Sequence, residues 1–390
     1  MPHWCLLTPE YPPTIGGIAG YVAQVAEGLA RAGDRTDVWA KGPAVHPLAP
    51  AGLTVHSLPF GFDRHARARI TRATAAEPDT VIVLEFVPFG LGGFPPAFLA
   101  WLARVPHPLW LMFHEVAYPF ERGQRLRLHA LALLTHAQAG FLFHRADRVF
   151  LSTEAWHGML APFGKRRQPA EVLPIGSNLP TALPAGRTPD TLRAELGLAK
   201  DAAVVGHFGT FGSLVGAPLT ELMTRLWTLR PDVILVAVGR GSHEWVARLP
   251  AERQAQVRSL GEVTAERAAE ALTLADLVLC PFPDGVTTRR TTVMAALSLG
   301  KAVVTNEGRL TEALWRHERC VELTPDDPSR MAERSVELLA EPERRTALGL
   351  RAAAVYARSF AMENTVRALR RARDGRRIDG ATLRGGTDVA

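Results

Sequence analysis

The sequence contains little cysteine, and its cysteines are far apart. Cys5, Cys280 and Cys320 are the only three in 390 residues, and none forms a CxxC pair. This spacing excludes a zinc site built on paired cysteines and a disulfide framework, and it favours a reducing compartment such as the cytoplasm. Cys5 and Cys280 stand in apolar runs, where cysteine is usually a small buried hydrophobic residue.

Long apolar runs are also missing. The most apolar segment, residues 81–105, is interrupted by Glu85 and by three prolines. A membrane-spanning helix needs about 20 mostly apolar residues without such breaks. The opening residues lack the basic leader and apolar core of a signal peptide. We therefore expect a protein that is not integral to a membrane.

Positive charge is in moderate excess, with a net charge of +6 and a pI of about 9.6. Basic residues cluster at 64–72, 165–167 and 370–377. Such clusters suit anionic lipid or nucleic acid, or they are the solvated surface of an arginine-rich protein. No nucleic-acid-binding motif accompanies them, so we expect no nucleic-acid partner and only a peripheral contact with an anionic membrane.

Short apolar runs alternate with amphipathic segments, which is typical of parallel sheets covered by helices. The sequence predicts two doubly wound α/β domains whose strand ends, and therefore binding loops, meet at a shared cleft. The predicted strands are 4–7, 36–40, 53–58, 80–84, 109–113 and 148–152, then 203–208, 233–238, 257–260, 277–280, 302–305 and 320–323. The main predicted helices are 21–32, 126–146, 328–339 and 341–373.

A polar, proline-rich stretch near residues 180–189 separates the two halves. The expected domains are residues 1–180 and 190–360, followed by a helix at 361–375 that crosses back toward the first domain. Residues 376–390 are expected to be a disordered tail.

The glycine-rich loop at residues 10–21 follows a predicted strand and opens a helix. Free backbone N–H groups and the helix dipole at such a turn attract an anion or a polar ligand. Gly16 and Gly17 have no Cβ atom, so a phosphate or a sugar can approach the backbone. The loop holds neither a GxGxxG nor a Walker pattern, and an ordinary strand-to-helix turn is the alternative.

A second candidate site is the segment Asp-Gly-Val-Thr-Thr-Arg-Arg-Thr-Thr at residues 284–292, between a predicted strand and a predicted helix. Arginine offers planar, bidentate donors that suit phosphate oxygens. The candidate ligands are Thr287, Thr288, Arg289, Arg290 and Thr291. The alternative is a solvated helix start, and we expect one arginine to face solvent because adjacent helical residues point apart.

His114 follows the predicted strand at 109–113. A histidine at a strand's carboxyl end can hydrogen-bond a hydroxyl group of a ligand, or it can be satisfied by its own loop. Glu115 is a candidate to orient it, and Glu10 and Glu85 are candidates to bind an acceptor. No group of histidines has metal-ligand spacing, so the sequence predicts no metal.

Several of these segments, taken in order, resemble glycosyltransferase family 4, a retaining group with the GT-B fold. The similar strings are PEYPPTIGGIAGYVAQVAEGLARAGDRTDV, VVGHFGTFG, ILVAVGRG, VRSLGEVTAERAAEALTLADLVLCPFPDG and MAALSLGKAVVTN. The resemblance spans residues 4–371. It implies an acceptor-side first domain and a second domain that binds a nucleotide sugar, with UDP- or GDP-sugar as the donor and no cofactor.

The resemblance also implies transfer to the hydroxyl of a glycan or lipid-linked acceptor in glycan, polysaccharide or glycolipid synthesis, in the cytoplasm or at the inner face of its membrane. It places Gly16 and Gly17 beside the donor phosphates and the acceptor, and His114 on the donor sugar. The residues that it places on the nucleotide side are His207, Gly209, Thr210, Gly239, Arg240 and Glu262.

The sequence departs from the family at its acidic pair. Two glutamates normally stand eight positions apart, where this chain has Thr287 and Ala295. Asp284 is a candidate substitute for the first, and nothing replaces the second, which in the family usually binds the ribose. The family's Arg and Lys after the first strand of the second domain are absent too. We therefore predict that Arg289 and Arg290 bind the diphosphate, and that Asp284 and His114 hold the donor sugar.

Two other interpretations stay open. The missing carboxylates suit a non-catalytic GT-B protein that binds a nucleotide sugar or a partner glycosyltransferase. A GT-B epimerase or phosphorylase is less favoured, because an epimerase needs a carboxylate pair and a phosphorylase needs a pyridoxal lysine. The lysines of this chain are poor candidates for that role, namely Lys41, Lys165, Lys200 and Lys301.

Overall fold

The computed structural model describes residues 1–46, 48–92, 95–121 and 123–376, apart from the side chain of residue 213. The chain divides after Pro174 into two compact units. The first contains residues 1–174 together with the chain from Met362 onward, and the second contains residues 175–361. Except for residue 376, the expected disordered tail at 376–390 lies outside the described residues.

Strands and helices alternate along the described chain. Up to residue 174 they are β1 (His3–Thr8), α1 (Gly17–Arg31), β2 (Arg35–Lys41), β3 (Leu53–Leu58), α2 (Arg64–Ala75), β4 (Thr80–Phe86), α3 (Pro96–Leu102), β5 (Leu109–Phe113), α4 (Leu126–Arg145), β6 (Arg148–Leu151), α5 (Trp156–Leu160), a 3-10 turn (Ala161–Phe163) and β7 (Glu171–Val172). The strands form a seven-stranded parallel sheet in the order β3-β2-β1-β4-β5-β6-β7.

The rest of the described chain repeats this alternation. Its elements are α6 (Pro189–Glu195), β8 (Val204–Phe208), α7 (Ser213–Leu229), β9 (Ile234–Val238), α8 (Ser242–Val246), α9 (Ala251–Gln254), β10 (Val257–Gly261), α10 (Ala265–Leu274), β11 (Leu277–Cys280), α11 (Thr291–Ser298), β12 (Ala302–Asn306), α12 (Ala313–Glu318), β13 (Glu322–Thr324), α13 (Pro328–Ala340), α14 (Pro342–Ser359) and α15 (Met362–Arg373). The second sheet is six-stranded and parallel, in the order β10-β9-β8-β11-β12-β13.

The predicted strands are all present, and the structure adds the two-residue β7. The central strands β1, β4 and β5 are buried along their whole length, as expected for parallel strands covered by helices on both faces. The prediction of one helix over 341–373 is wrong, because the chain leaves the helix at Phe360. The buried Phe360 ring stacks on Trp315 with 6.1 Å between ring centroids, and a new helix begins at Met362.

The last helix, α15, is fixed to the first unit by ion pairs and a cation–π contact. Arg370 Nε lies 3.0 Å from the Asp34 carboxylate, which also accepts a hydrogen bond from Trp4 Nε1. Arg373 donates to the His3 carbonyl at 3.1 Å and lies over the Trp4 ring. These two arginines of the basic cluster at 370–377 therefore have structural partners.

The cysteines are all buried and unpaired. Burial raises the pKa of the Cys320 thiol to about 12, and it also raises the pKa of Cys5 and Cys280. The prediction that Cys5 and Cys280 are small buried residues is confirmed. No described helix is both long enough and apolar enough to cross a bilayer.

A buried carboxylate links the first three strands of the first unit. Asp37 of β2 accepts hydrogen bonds from His3 Nε2 at 2.8 Å and from His56 Nε2 at 3.1 Å. The His56 ring stacks on Trp39 at 3.8 Å. Burial alone would raise the pKa of Asp37, but the two histidine hydrogen bonds outweigh it and hold that pKa well below its usual range.

We expect Asp37→Asn to reduce the free energy of unfolding by about 2 kcal/mol near neutral pH. Because the folded-state pKa is depressed, the stabilisation is complete above the unfolded value of about 4 and is lost as the pH falls further. Urea unfolding at pH 7 and pH 3 measures this, with the exposed Asp201→Asn as the control. The prediction is contradicted if the free energy of unfolding differs between wild type and Asp37→Asn by the same amount at both pH values.

The strand order of the second unit reverses direction between β8 and β11. Hydrophobic side chains pack on both faces of this sheet. The ends of the strands, and not the faces of the sheet, are therefore open to ligands. In open α/β sheets, ligands bind beyond the carboxyl ends of the strands at such a reversal. The pairing of β8 with β11 stops at Gly206 and Val278. By this rule, the candidate ligand crevice lies beyond those residues.

Candidate functional site

His207 lies at the start of this crevice, near the end of β8. Its Nδ1 is 2.8 Å from the Leu279 carbonyl oxygen of β11. A carbonyl only accepts, so Nδ1 carries the hydrogen and Nε2 of the neutral ring is a hydrogen-bond acceptor. Burial lowers the pKa of His207 to about 4, partly offset by the hydrogen bond to Leu279. The ring is therefore neutral at pH 7.

The acceptor nitrogen of His207 is buried, and no group in the described part of the chain bonds it. A Cβ atom built on Gly209 would lie 3.8 Å from this nitrogen and 3.2 Å from Thr292 Oγ1. His207 and Thr292, the second residue of α11, thus border the same space. A neutral acceptor in that space suits a ligand hydroxyl and does not suit a phosphate oxygen.

The loops after β8, β9 and β10 are bonded into one border of the crevice. Gly239 N donates to the Gly261 carbonyl at 2.7 Å, and Phe211 N donates to the Arg240 carbonyl at 2.9 Å. Gly239 has φ +126°, and a Cβ atom there would overlap the Gly209 carbonyl group. Only glycine allows this close approach. The other predicted residues of this border are exposed, namely Thr210, Arg240 and Glu262.

The loop after β11 brings Asp284, Arg289 and Arg290 together. The Asp284 carboxylate accepts from Arg289 Nη2 at 3.0 Å and from Arg290 Nη2 through its other oxygen. The Arg290 guanidinium also lies 4.4 Å from the centroid of the Phe282 ring. The two guanidiniums therefore share one carboxylate.

The expectation that one of these arginines faces solvent is wrong. Residues 288–289 form a turn, and Arg290 is the N-cap of α11 with extended backbone, so the two side chains are not separated by a helical rotation. Both are partly buried and reach the same carboxylate. Asp284, predicted to hold the donor sugar, is in this structure the ion-pair partner that orients the two guanidiniums.

The threonines of this loop differ in their surroundings. Thr287 and Thr288 are fully buried, whereas Thr291 is half-buried at the start of α11. The Thr288 amide and hydroxyl both donate to the Glu312 carboxylate, the amide at 2.8 Å. In this structure the Thr288 hydroxyl fixes the turn, and its predicted contact with phosphate stays a prediction. Thr287 Oγ1 has no hydrogen-bond partner within the described residues.

Glu312 is a site residue that the sequence analysis missed. Its buried carboxylate accepts from Thr288 and also from Trp315 Nε1 at 2.8 Å. It therefore ties the loop after β11 to the start of α12. Its signal in the sequence was weak, a carboxylate three residues before a tryptophan.

Asn306 adds a second connection between the loops after β11 and β12. Its side chain exchanges two hydrogen bonds with the Phe282 backbone, at 2.7 and 2.8 Å. Val286 N donates to the Asn306 carbonyl, and Leu310 N donates to the Asp284 carbonyl. The arginine-bearing turn is therefore held on both sides by buried polar contacts.

In the first unit, His114 follows β5 and is held rigidly. Its Nε2 lies 2.7 Å from the Glu85 carboxylate of β4, and both side chains are buried. The Tyr21 ring of α1 meets the His114 ring edge-on at 5.1 Å. Burial, with a contribution from Glu85, raises the pKa of Tyr21 well above its usual value, so the phenol stays protonated. It is Glu85, a candidate acceptor residue, that orients His114.

The predicted glycine pair lies at the start of α1. Gly16 is the N-cap with extended backbone, and Gly17 is the first helical residue. A Cβ atom built on Gly16 would lie 3.1 Å from both carboxylate oxygens of Glu10. A negative side chain thus already lies at the positive end of this helix. The predicted contact of Gly16 and Gly17 with donor phosphates stays a prediction.

Among the described residues, no three His, Cys, Asp or Glu side chains are arranged to hold a metal ion. The polar groups described above at strand ends include guanidiniums, hydroxyls, carboxylates, a neutral imidazole and a histidine–glutamate pair.

Sequence family models match each half of the chain. The glycosyl transferase 4-like domain matches residues 16–176, and the model described as glycosyl transferases group 1 matches residues 206–341. No curated protein matches the chain in sequence.

Solved structures share its fold. HepE from Anabaena, in complex with UDP-glucose, is 18% identical with a TM-score of 0.69 over 96% of this chain and 100% of that one. A glycosyltransferase from Rickettsia africae is 12% identical with a TM-score of 0.71 over 99% of each chain. WaaG, a glycosyltransferase involved in lipopolysaccharide biosynthesis, is 17% identical with a TM-score of 0.65 over 98% of this chain and 100% of that one.

These similarities confirm the predicted fold class, an α/β protein of the GT-B type with two Rossmann-like sheets. The family models fall on both halves in the order that the sequence motifs indicated. The chain therefore belongs to the group 1 glycosyltransferases and has a family 4-like first domain.

Proposed function

We propose that this glycosyltransferase moves a sugar from a UDP- or GDP-sugar to the hydroxyl of a glycan or lipid-linked acceptor, with retention and without a metal. The observation that carries the proposal is the pair of guanidiniums on Asp284, at the strand reversal of the second unit. HepE, one protein of the same fold, was solved with UDP-glucose, which supports a nucleotide-sugar donor.

The leaving diphosphate gains negative charge as the glycosidic bond breaks, and it needs fixed positive groups nearby. Arg289 and Arg290 supply two planar sets of N–H donors, and the shared Asp284 restrains both before the donor arrives. The start of α11 directly after Arg290 adds the positive end of a helix dipole. Guanidiniums in this position take the role that a divalent cation plays in other phosphate sites, so the proposal needs no metal.

The nucleotide would also need a partner for its ribose. The family's second glutamate is replaced here by Ala295, which is fully buried. His207 Nε2 is a buried acceptor that borders the space beside Gly209 and Thr292. We assign it to a nucleotide hydroxyl, because a neutral imidazole acceptor can take the hydrogen bond that a carboxylate takes in the family.

In the first unit we assign His114 to a hydroxyl of the donor sugar, with Glu85 as its positioning residue. Glu10 beside Gly16 is assigned to the acceptor hydroxyl. The family resemblance implies that the leaving phosphate itself helps to deprotonate that hydroxyl. The protein then contributes by positioning the reactants and stabilising charge, and no side chain has to act as a nucleophile.

A panel of UDP- and GDP-sugars tests the proposal. We expect at least one donor to bind in calorimetry. The enzyme should hydrolyse this donor slowly, and it should release the nucleoside diphosphate faster when an acceptor is present. The rate of this transfer should be the same in EDTA. The anomeric configuration of the product, read by NMR, checks retention. Donor binding without turnover on any acceptor would favour the non-catalytic alternative, and a rate abolished by EDTA would contradict the metal-free proposal.

A further inference from the structure

The outward face of α4 in the first unit is apolar. Its exposed large side chains are Leu126, Leu133, Leu134 and Phe141, of which Leu126 is 87% and Leu133 65% exposed. Ala130 and Ala137 are exposed between them. Scattered exposed leucines are ordinary on protein surfaces, but a continuous apolar face marks a contact surface.

The spacing of these residues places them on one side of the helix. Steps of three or four residues lead from Leu126 through Ala130, Leu133 and Ala137 to Phe141, which keeps one face of an α-helix. The 20-residue helix extends about 30 Å. Its opposite face already packs into the unit through buried residues such as Leu142. The outward apolar face is therefore not needed for the core.

Both ends of this face carry exposed basic side chains. Arg125 and Arg127 lie at the amino end. At the carboxyl end, His144 Nε2 lies 2.8 Å from the Phe163 carbonyl oxygen, which brings the loop with Lys165 and Arg167 beside the helix.

Acidic residues are absent from the same stretch of sequence. Residues 122–146 contain no Asp or Glu. The exposed Phe120 ring lies 4.8 Å from the His136 ring of α4 and adds to the apolar surface. The face is therefore apolar along its length, with basic residues at both ends and no acidic residue in the helix.

We propose that this face of α4 docks on the surface of a membrane that contains anionic phospholipid. A helix with this distribution lies in the interface plane, where its apolar side chains enter the acyl boundary and its basic groups meet phosphate headgroups. A protein partner of this helix would need a complementary acidic rim, whereas a bilayer supplies both the apolar layer and the negative charge. Docking would keep the enzyme at the surface where a lipid-linked acceptor is located.

Vesicle sedimentation tests the apolar part of this face. The full-length protein should sediment with vesicles of phosphatidylcholine and phosphatidylglycerol, and less with phosphatidylcholine alone. The double variant Leu133→Glu with Leu134→Glu should lower the partition coefficient at least ~10-fold, because two apolar side chains leave the interface and two negative charges enter. The control Leu350→Glu changes a leucine that is 69% exposed on α14 and should partition like wild type.

The basic ends are tested separately. Lys165→Glu with Arg167→Glu should lower binding to the anionic vesicles by about 5-fold or more for each residue, and added salt should reduce the difference. Arg225→Glu with Arg248→Glu, two exposed arginines of the second unit, is the matched control.

Three results would overturn the proposal. The first is a leucine double variant that sediments like wild type, and the second is wild type that binds both kinds of vesicle equally. The third is a wild-type protein that is a dimer in light scattering while the leucine double variant is a monomer. That result would make this face an interface between copies. Hydrolysis of a soluble donor is measured in parallel, because its persistence without vesicle binding would reject docking while leaving the proposed glycosyl transfer intact.

Discussion

Arg290→Ala is expected to lower kcat/KM for the donor about 100-fold or more, with weaker donor binding as well. The reason is that Arg290 would supply fixed N–H donors to the leaving diphosphate, and one lost donor of this kind costs about two to three orders of magnitude. Its guanidinium is restrained by Asp284 on one side and by the Phe282 ring on the other. Steady-state kinetics and donor calorimetry on the same samples measure both effects.

Arg290→Lys separates charge from geometry. A lysine keeps the positive charge but has no planar fork, so it should recover only part of the activity. The control is Arg225→Ala, an exposed arginine on α7. Unchanged donor affinity in Arg290→Ala, measured by calorimetry, would remove Arg290 from the diphosphate site.

Glu312→Ala is expected to destabilise the protein by about 3–5 kcal/mol and to lower kcat/KM about 100-fold. The variant leaves three buried donors without their acceptor, namely the Thr288 amide, the Thr288 hydroxyl and Trp315 Nε1. Each unsatisfied buried group costs about 1–3 kcal/mol. The loss of activity follows because the turn that carries both arginines loses its anchor, and displacements of about 1 Å can cost 100-fold.

Two further variants sharpen this test, namely Glu312→Gln and the surface control Glu333→Gln. Glutamine keeps the shape but offers one acceptor oxygen and an amide group that itself donates, so it should still lose stability. Glu333→Gln breaks an exposed ion pair with Arg330 and should change the free energy of unfolding by less than about 1 kcal/mol. If Glu312→Gln unfolds in urea at the same midpoint as Glu333→Gln, the anchoring role is rejected.

The strands and their order along the chain were predictable from the sequence, because parallel strands covered on both faces appear as short apolar runs. The end of the helix at Phe360 was not predictable from the helical pattern, and the two expectations, a helix at 341–373 and a helix at 361–375, disagreed there. An amphipathic pattern continues across residues 341–373, and the break depends on where a buried ring packs against Trp315.

The candidate site was predictable only in its position. The segment 284–292 was located by its place between a strand and a helix, but the partners of its side chains depend on distant residues. Glu312 is 24 residues from Thr288, and Glu85 is 29 residues from His114. Local patterns cannot assign such pairs. The expectation that one arginine faces solvent failed because it assumed helical geometry where the chain forms a turn.

The attachment of α15 to the first unit has a consequence for synthesis on the ribosome. The second unit, residues 175–361, is complete before α15 has been made. Until then, the first unit lacks the helix whose Arg370 and Arg373 pair with Asp34 and cover Trp4. The domain that is translated first is therefore the last to be finished, and its folding is completed only when the far end of the chain returns to it.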